Sequence, residues 1–203
     1  MPRRPEEVPH RSYADLRRVA AEFLARYHPV SSIPVPIEEI VEFQFGLDII
    51  PIEGMLRALE IYAFVSRDMR SISIDAYIQE NDPGGYRLNL AHELAHLMIH
   101  SDIIAQYEFD TIAEWKAVVI GIDEKVFEEF EWQAHALAGL MLVPPAELAV
   151  EFGKAAAKIN AVGMSLTKAR EVGRFSVEDY LARRFVVPRF VVTERTDWDG
   201  LWP

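Results

Sequence analysis

The sequence predicts an α+β fold: a mostly helical domain with a small three-stranded antiparallel sheet and a helical segment at the C-terminus. Three observations predict it. Apolar residues recur at helical spacing before residue 46 and again from residue 89 onward. Between them lie three short β-branched and aromatic runs, 47–52, 61–68 and 70–78, with partial period-two alternation. The chain has 203 residues, half of them hydrophobic and 26% charged, which suffices for one core and a small appendage.

The elements follow in order. Residues 1–11 are rich in proline and charge and are expected to form a flexible tail. A main domain over 12–160 and a helical extension over 161–203 packed on it are expected to follow. "SYADLRRVAAEFLARYH" (12–28) predicts a helix with Ser12 as N-cap and Leu16, Val19, Ala20, Phe23 and Leu24 on one side. "PVPIEEIVEFQFG" (34–46) predicts a second helix that stops at Gly46. The second and third β runs predict a hairpin around Asp68 and Met69. "QENDPGGYR" (79–87) carries strong breakers and predicts a loop. Helices are then expected near 88–100, 123–142, 145–160, 165–174 and 176–185, with a short one after Pro188, and the sheet is expected to pack on the first of these. The segment 101–123 predicts an extra helix or a flap, with Tyr107 and Trp115 packing into the core.

Composition narrows the chemistry. With no cysteine, disulfides, thiolate metal sites and cysteine nucleophiles are excluded, so any metal must be held by histidine and carboxylate. A net charge of -11 sets a repulsive field against nucleic-acid phosphates. Five arginines, Arg170, Arg174, Arg183, Arg184 and Arg189, cluster near the C-terminus and predict a solvated helix face rather than a DNA contact. No run approaches 18 uninterrupted apolar residues and the N-terminus lacks a signal pattern, so a cytoplasmic protein without a membrane span is expected.

The stretch "NLAHELAHLMIH" (89–100) concentrates the titratable chemistry. At about 100° per residue, His92, Glu93, His96 and His100 fall on one arc, and leucine, alanine, methionine and isoleucine fill the rest. A helix so apolar is buried, and a buried polar stripe needs a partner. Residues four apart lie one above the other, so His92 and His96 can direct ring nitrogens to a common point. Glu93, one position round, reaches a water on a metal there and can take its proton. The competing reading is a histidine-rich structural helix. His100 cannot easily join the same ion, since three rungs span about 12 Å of rise, and a structural or cleft-rim role is expected for it.

A catalytic zinc takes three protein ligands. The helix "DEKVFEEFEWQAHALAGLMLVPP" (123–145) offers Glu128, Glu129, Glu131 and His135. Glu128 and Glu129 are expected to be solvated charges, whereas Glu131 falls at the edge of the core, where an acid needs a partner.

"AHELAHLMIH" together with "EWQAHALAGLMLVP" resembles the ImmA/IrrE family of zinc metallopeptidases, over roughly residues 35–195. "LDIIPI" and "LARRFVVP" (181–188) fit the same order. The resemblance implies a metallopeptidase-like domain of the thermolysin kind. His92, His96 and Glu131 would be ligands of one zinc, although such donors also admit manganese or iron, and Glu93 would be the general base. It implies a protein substrate, such as a helix-turn-helix repressor of phage or mobile-element origin. His135 departs from the family's Asn or Asp and is expected either to orient a ligand histidine or to compete with Glu131. His100, His135 and Tyr86 are the candidates for stabilising an oxyanion. The alternative is a metal-binding regulatory module that acts through protein or DNA binding with little proteolysis.

Overall fold

A computed structural model describes residues 8–109 and 111–203. It opens with α1 (Tyr13–Tyr27), where Ser12 and Asp15 complete a capping box and Leu16, Ala20 and Phe23 are buried. The expected second helix is a short turn, α2 (Ile37–Glu39), running into a π-helical turn (Ile40–Gln44). Strand β1 (Asp48–Ile52) follows, then a short helix absent from the sequence reading, α3 (Met55–Leu59), then β2 (Ala63–Val65) and β3 (Ser71–Asp75).

The sheet is mixed rather than antiparallel. The hairpin β2–β3 is antiparallel as expected, but β3 lies in the centre and β1 runs parallel to it, pairing Ile49 with Ile72 and Pro51 with Ile74. The 53–70 segment is long enough for the crossover that a parallel pair requires, and α3 supplies part of it. Asp75, buried at the end of β3, accepts from the Tyr77 amide to start α4 (Ala76–Asn81) and from the Leu56 amide to hold α3.

The expected loop at 79–87 is helical except for Asp82. Its breakers are the start signals of α5 (Pro83–Ile104): Pro83 occupies the first turn and the Asp82 carboxylate accepts from the Gly85 amide at 2.9 Å. Gly84 is there for contact. A Cβ on it would stand 3.1 Å from the Val187 carbonyl carbon, so the start of α5 lies directly on the 187–188 turn.

The remaining elements are α6 (Ile112–Ile120), α7 (Glu124–Leu142), α8 (Pro145–Ala161), α9 (Leu166–Phe185) and α10 (Arg189–Trp198). The two helices expected over 165–185 are the single helix α9. The core lies between α1, α5, α7 and the sheet, with Leu90, Leu94, Leu137 and Leu140 fully buried. Leu181, Phe185, Val191 and Val192, from α9 and α10, belong to the same core. Of the expected tail, residues 1–7 lie outside the described residues. Val8 packs on a second, smaller cluster of Val65, Ile104, Tyr107, Phe109 and Phe130, which also receives Trp115 from α6. Among the described residues no single helix is long and apolar enough to cross a membrane.

Candidate metal centre

Helices α5 and α7 pack side by side, and the polar stripe of α5 meets Glu131 of α7. His92 Nε2 and His96 Nε2 lie 2.9 Å apart. Glu131 Oε2 stands 3.2 Å from the first and Oε1 3.4 Å from the second. These three residues form the group whose ligand atoms could share one ion. Zinc bonds of about 2.0–2.1 Å at a tetrahedral angle set neighbouring ligand atoms roughly 3.3 Å apart, so the separations in this donor set are close to those such an ion needs.

Electrostatics sort the donors. Burial drives the His96 pKa down to about 4, helped by neighbouring His92. Burial likewise takes His100 down to about 3, with His96 and the Arg11 cation adding to it. Both rings are therefore neutral, as metal ligation and hydrogen-bond relay require. Burial opposes protonation of His92 too, but its hydrogen bond with Glu131 and the charges of Glu131 and Glu93 outweigh that and raise its pKa. Burial acts to raise the Glu131 pKa, yet its hydrogen bonds with both imidazoles hold it well below the usual carboxylate range.

Glu93 is buried beside the cluster, and burial pushes its pKa up to about 7, against the pull of His92. Its Oε2 accepts from the Val65 amide at 3.0 Å, which leaves Oε1 for exchange. Strand β2 supplies that amide because the strand alternates. Ser66 donates to Ser71 and Tyr62 accepts from Asp75 across the hairpin, so the Ala63 and Val65 amides turn away from β3.

The cluster opens into a cleft of about 450 Å³ whose walls include Tyr62, Leu88, Ile120, Phe127 and Phe190. Helix α6 has no fully buried residue and lies along this cleft, tied across it by Lys116 Nζ donating to the Leu59 carbonyl at 2.6 Å.

The other sequence candidates separate. Glu129 accepts from His10 and Gln133 rather than facing the histidines. His135 does not compete with Glu131: its Nε2 pairs with Glu194 at 2.8 Å and its ring stacks on Phe190, on the cleft wall. Tyr86 donates to Glu38 at 2.8 Å and does not line the cleft, which removes it as an oxyanion donor. His100 is also committed, with Nδ1 facing His96 Nδ1 at 3.0 Å and Nε2 facing Gln133 Oε1 at 3.1 Å. Sequence reasoning passed over Gln133 and Phe130. Gln133 is fully buried, and the Phe130 ring lies 4.3 Å from both His96 and His100. A glutamine within the apolar run of α7 was the only available signal.

Family models and curated proteins give no match to this chain. A solved structure of a Mycobacterium tuberculosis transcriptional regulator matches with a TM-score of 0.53 at 18% identity, over 90% of this chain and 46% of that one. The likeness is one of fold, and the chain spans less than half the length of that regulator.

Proposed function

We propose that the protein is a zinc-dependent endopeptidase of the ImmA/IrrE type, acting in the cytoplasm on a protein partner such as a helix-turn-helix repressor. One observation carries the reading: two imidazoles and a carboxylate converge at 2.9, 3.2 and 3.4 Å beside a second, buried carboxylate. His92, His96 and Glu131 hold the ion. A bound divalent cation supplies Lewis acidity to a water and to a carbonyl oxygen. Glu93 takes a proton from the attacking water on its free Oε1 and delivers it to the departing amine, a task suited to a carboxylate with a pKa of about 7. The outward-facing backbone of Ala63 offers an extended peptide a strand edge to pair with. The apolar cleft walls exclude water and favour an apolar side chain next to the reacting bond.

Direct DNA contact is no part of this reading. The net charge is -11, and Arg174, Arg183, Arg184 and Arg189 each pair with a carboxylate of this chain. The second reading, a metal-binding regulatory module, draws on the fold shared with a transcriptional regulator.

Elemental analysis of protein purified without an affinity tag should find close to one zinc per chain. Incubated with a mixed-sequence peptide library read by mass spectrometry, the wild type cleaves, whereas Glu93→Gln keeps its zinc and loses about a hundredfold or more of the rate. Zinc without cleavage in the wild type selects the regulatory reading, and a fully active Glu93→Gln variant rules out this mechanism.

A further inference from the structure

We propose that Gln133 and His100 form a hydrogen-bond relay that sets the ring tautomer of His96, so that its Nε2 lone pair faces the cation shared with His92 and Glu131. The inference rests on the metal reading of the site and is independent of whether a peptide bond is cleaved there.

The relay starts from groups whose roles are unambiguous. Gln133 Nε2 lies 2.9 Å from the Pro9 carbonyl and 2.7 Å from Glu129 Oε1, and both oxygens accept. The amide nitrogen must therefore face them, and the amide oxygen must face His100. At 3.1 Å, that oxygen accepts from His100 Nε2–H. His100 is 1% exposed and stacked on Phe130, a setting that keeps the ring neutral with a single N–H. Its Nδ1 is thus an acceptor, and across 3.0 Å it receives the hydrogen of His96 Nδ1. A neutral imidazole protonated on Nδ1 carries its lone pair on Nε2, the atom 2.9 Å from His92 Nε2.

The relay is needed because a competing arrangement lies close by. Glu131 Oε1, 3.4 Å from His96 Nε2, would favour a proton on that nitrogen in the metal-free protein. That tautomer cannot ligate until the proton moves. By engaging Nδ1–H, His100 makes the ligating tautomer the resting one. Gln133 and His100 are positioning residues, and they tie the ligand on α5 to α7 and to the segment at Pro9.

Imidazole nitrogen shifts of the metal-free protein, read by long-range proton–nitrogen NMR correlation, test the core of the proposal on the wild type alone. His96 should show a protonated Nδ1 and a bare Nε2, and His100 the reverse; a protonated Nε2 on His96 overturns it. Zinc affinity, measured against a chromophoric chelator, supplies the second readout. Gln133→Met and His100→Leu should weaken binding about tenfold to a hundredfold. His100→Asn, whose side-chain oxygen can still accept from His96 Nδ1–H, should stay within about threefold of the wild type. Equal losses for Leu and Asn, or no loss for either, mark a packing role and overturn the proposal. A wild type that binds no zinc overturns the metal reading and this proposal together, whatever the NMR pattern.

Discussion

The C-terminal helices and the α5–α7 interface both bury charged groups, and they balance them differently. Among α8, α9 and α10, acids meet cations of the same chain. Glu151 is met by Lys154, Arg184 and Tyr180, and Glu178 by Arg174, Thr193 and Thr196. Arg195, fully buried, donates to Asp199, to the Val143 carbonyl and to Tyr13. These groups are complete: they lock α10 onto α9, α7 and α1, and α8 onto α9. At α5–α7 two carboxylates and two imidazoles converge. Glu131 is met by two imidazoles whose pKa values are shifted in opposite directions, and among the described residues no lysine or arginine pairs with Glu93 beside them. Polar groups balanced by their own chain serve structure, whereas the donors that converge at α5–α7 form a group that could hold an ion.

The comparison can be broken most sharply at Glu131. A full zinc ligand set is worth roughly 10–16 kcal/mol in structural sites, so losing one of three ligands should cost on the order of 4 kcal/mol. Glu131→Ala should thus weaken zinc binding about a thousandfold in a chelator titration, while lowering the unfolding free energy of the chelator-treated protein, read by urea titration, by less than about 1 kcal/mol. Arg195→Met should do the reverse. It takes from Asp199 one of its two cations, Arg17 remaining, and leaves the Val143 carbonyl without its donor, so it should cost about 1–3 kcal/mol of stability, with zinc affinity of the folded fraction within about twofold. Equal destabilisation by both variants, measured without metal, would erase the distinction. The smallest effect is expected at His135→Ala. Its pair with Glu194 is partly exposed, so stability should fall by less than about 1 kcal/mol. Zinc affinity should hold within about threefold, and a collapse of binding would return His135 to the ligand set.

Legibility in the sequence followed the range of the interaction. Ser12, the 13–27 helix and the β2–β3 hairpin were legible because capping and alternation act within a few residues. The 79–87 segment differs from the expectation because Asp-Pro-Gly-Gly serves equally as a loop and as a capped helix start, and here it caps α5, with Gly84 packed closely against Val187. The parallel partner of β3 was hidden for a similar reason: alternation says which face a strand buries and nothing about its direction.

By itself the sequence determined that His92, Glu93 and His96 share one arc of a helix, because helical pitch sets those angles before any packing occurs. It also narrowed the third donor to a few residues of α7. Only the tertiary structure decided that Glu131 meets both imidazoles, that His135 turns to Glu194, and that His100 faces Gln133. Those outcomes depend on how α7 is rotated and shifted against α5, and burial of residues from every layer of the core sets that docking.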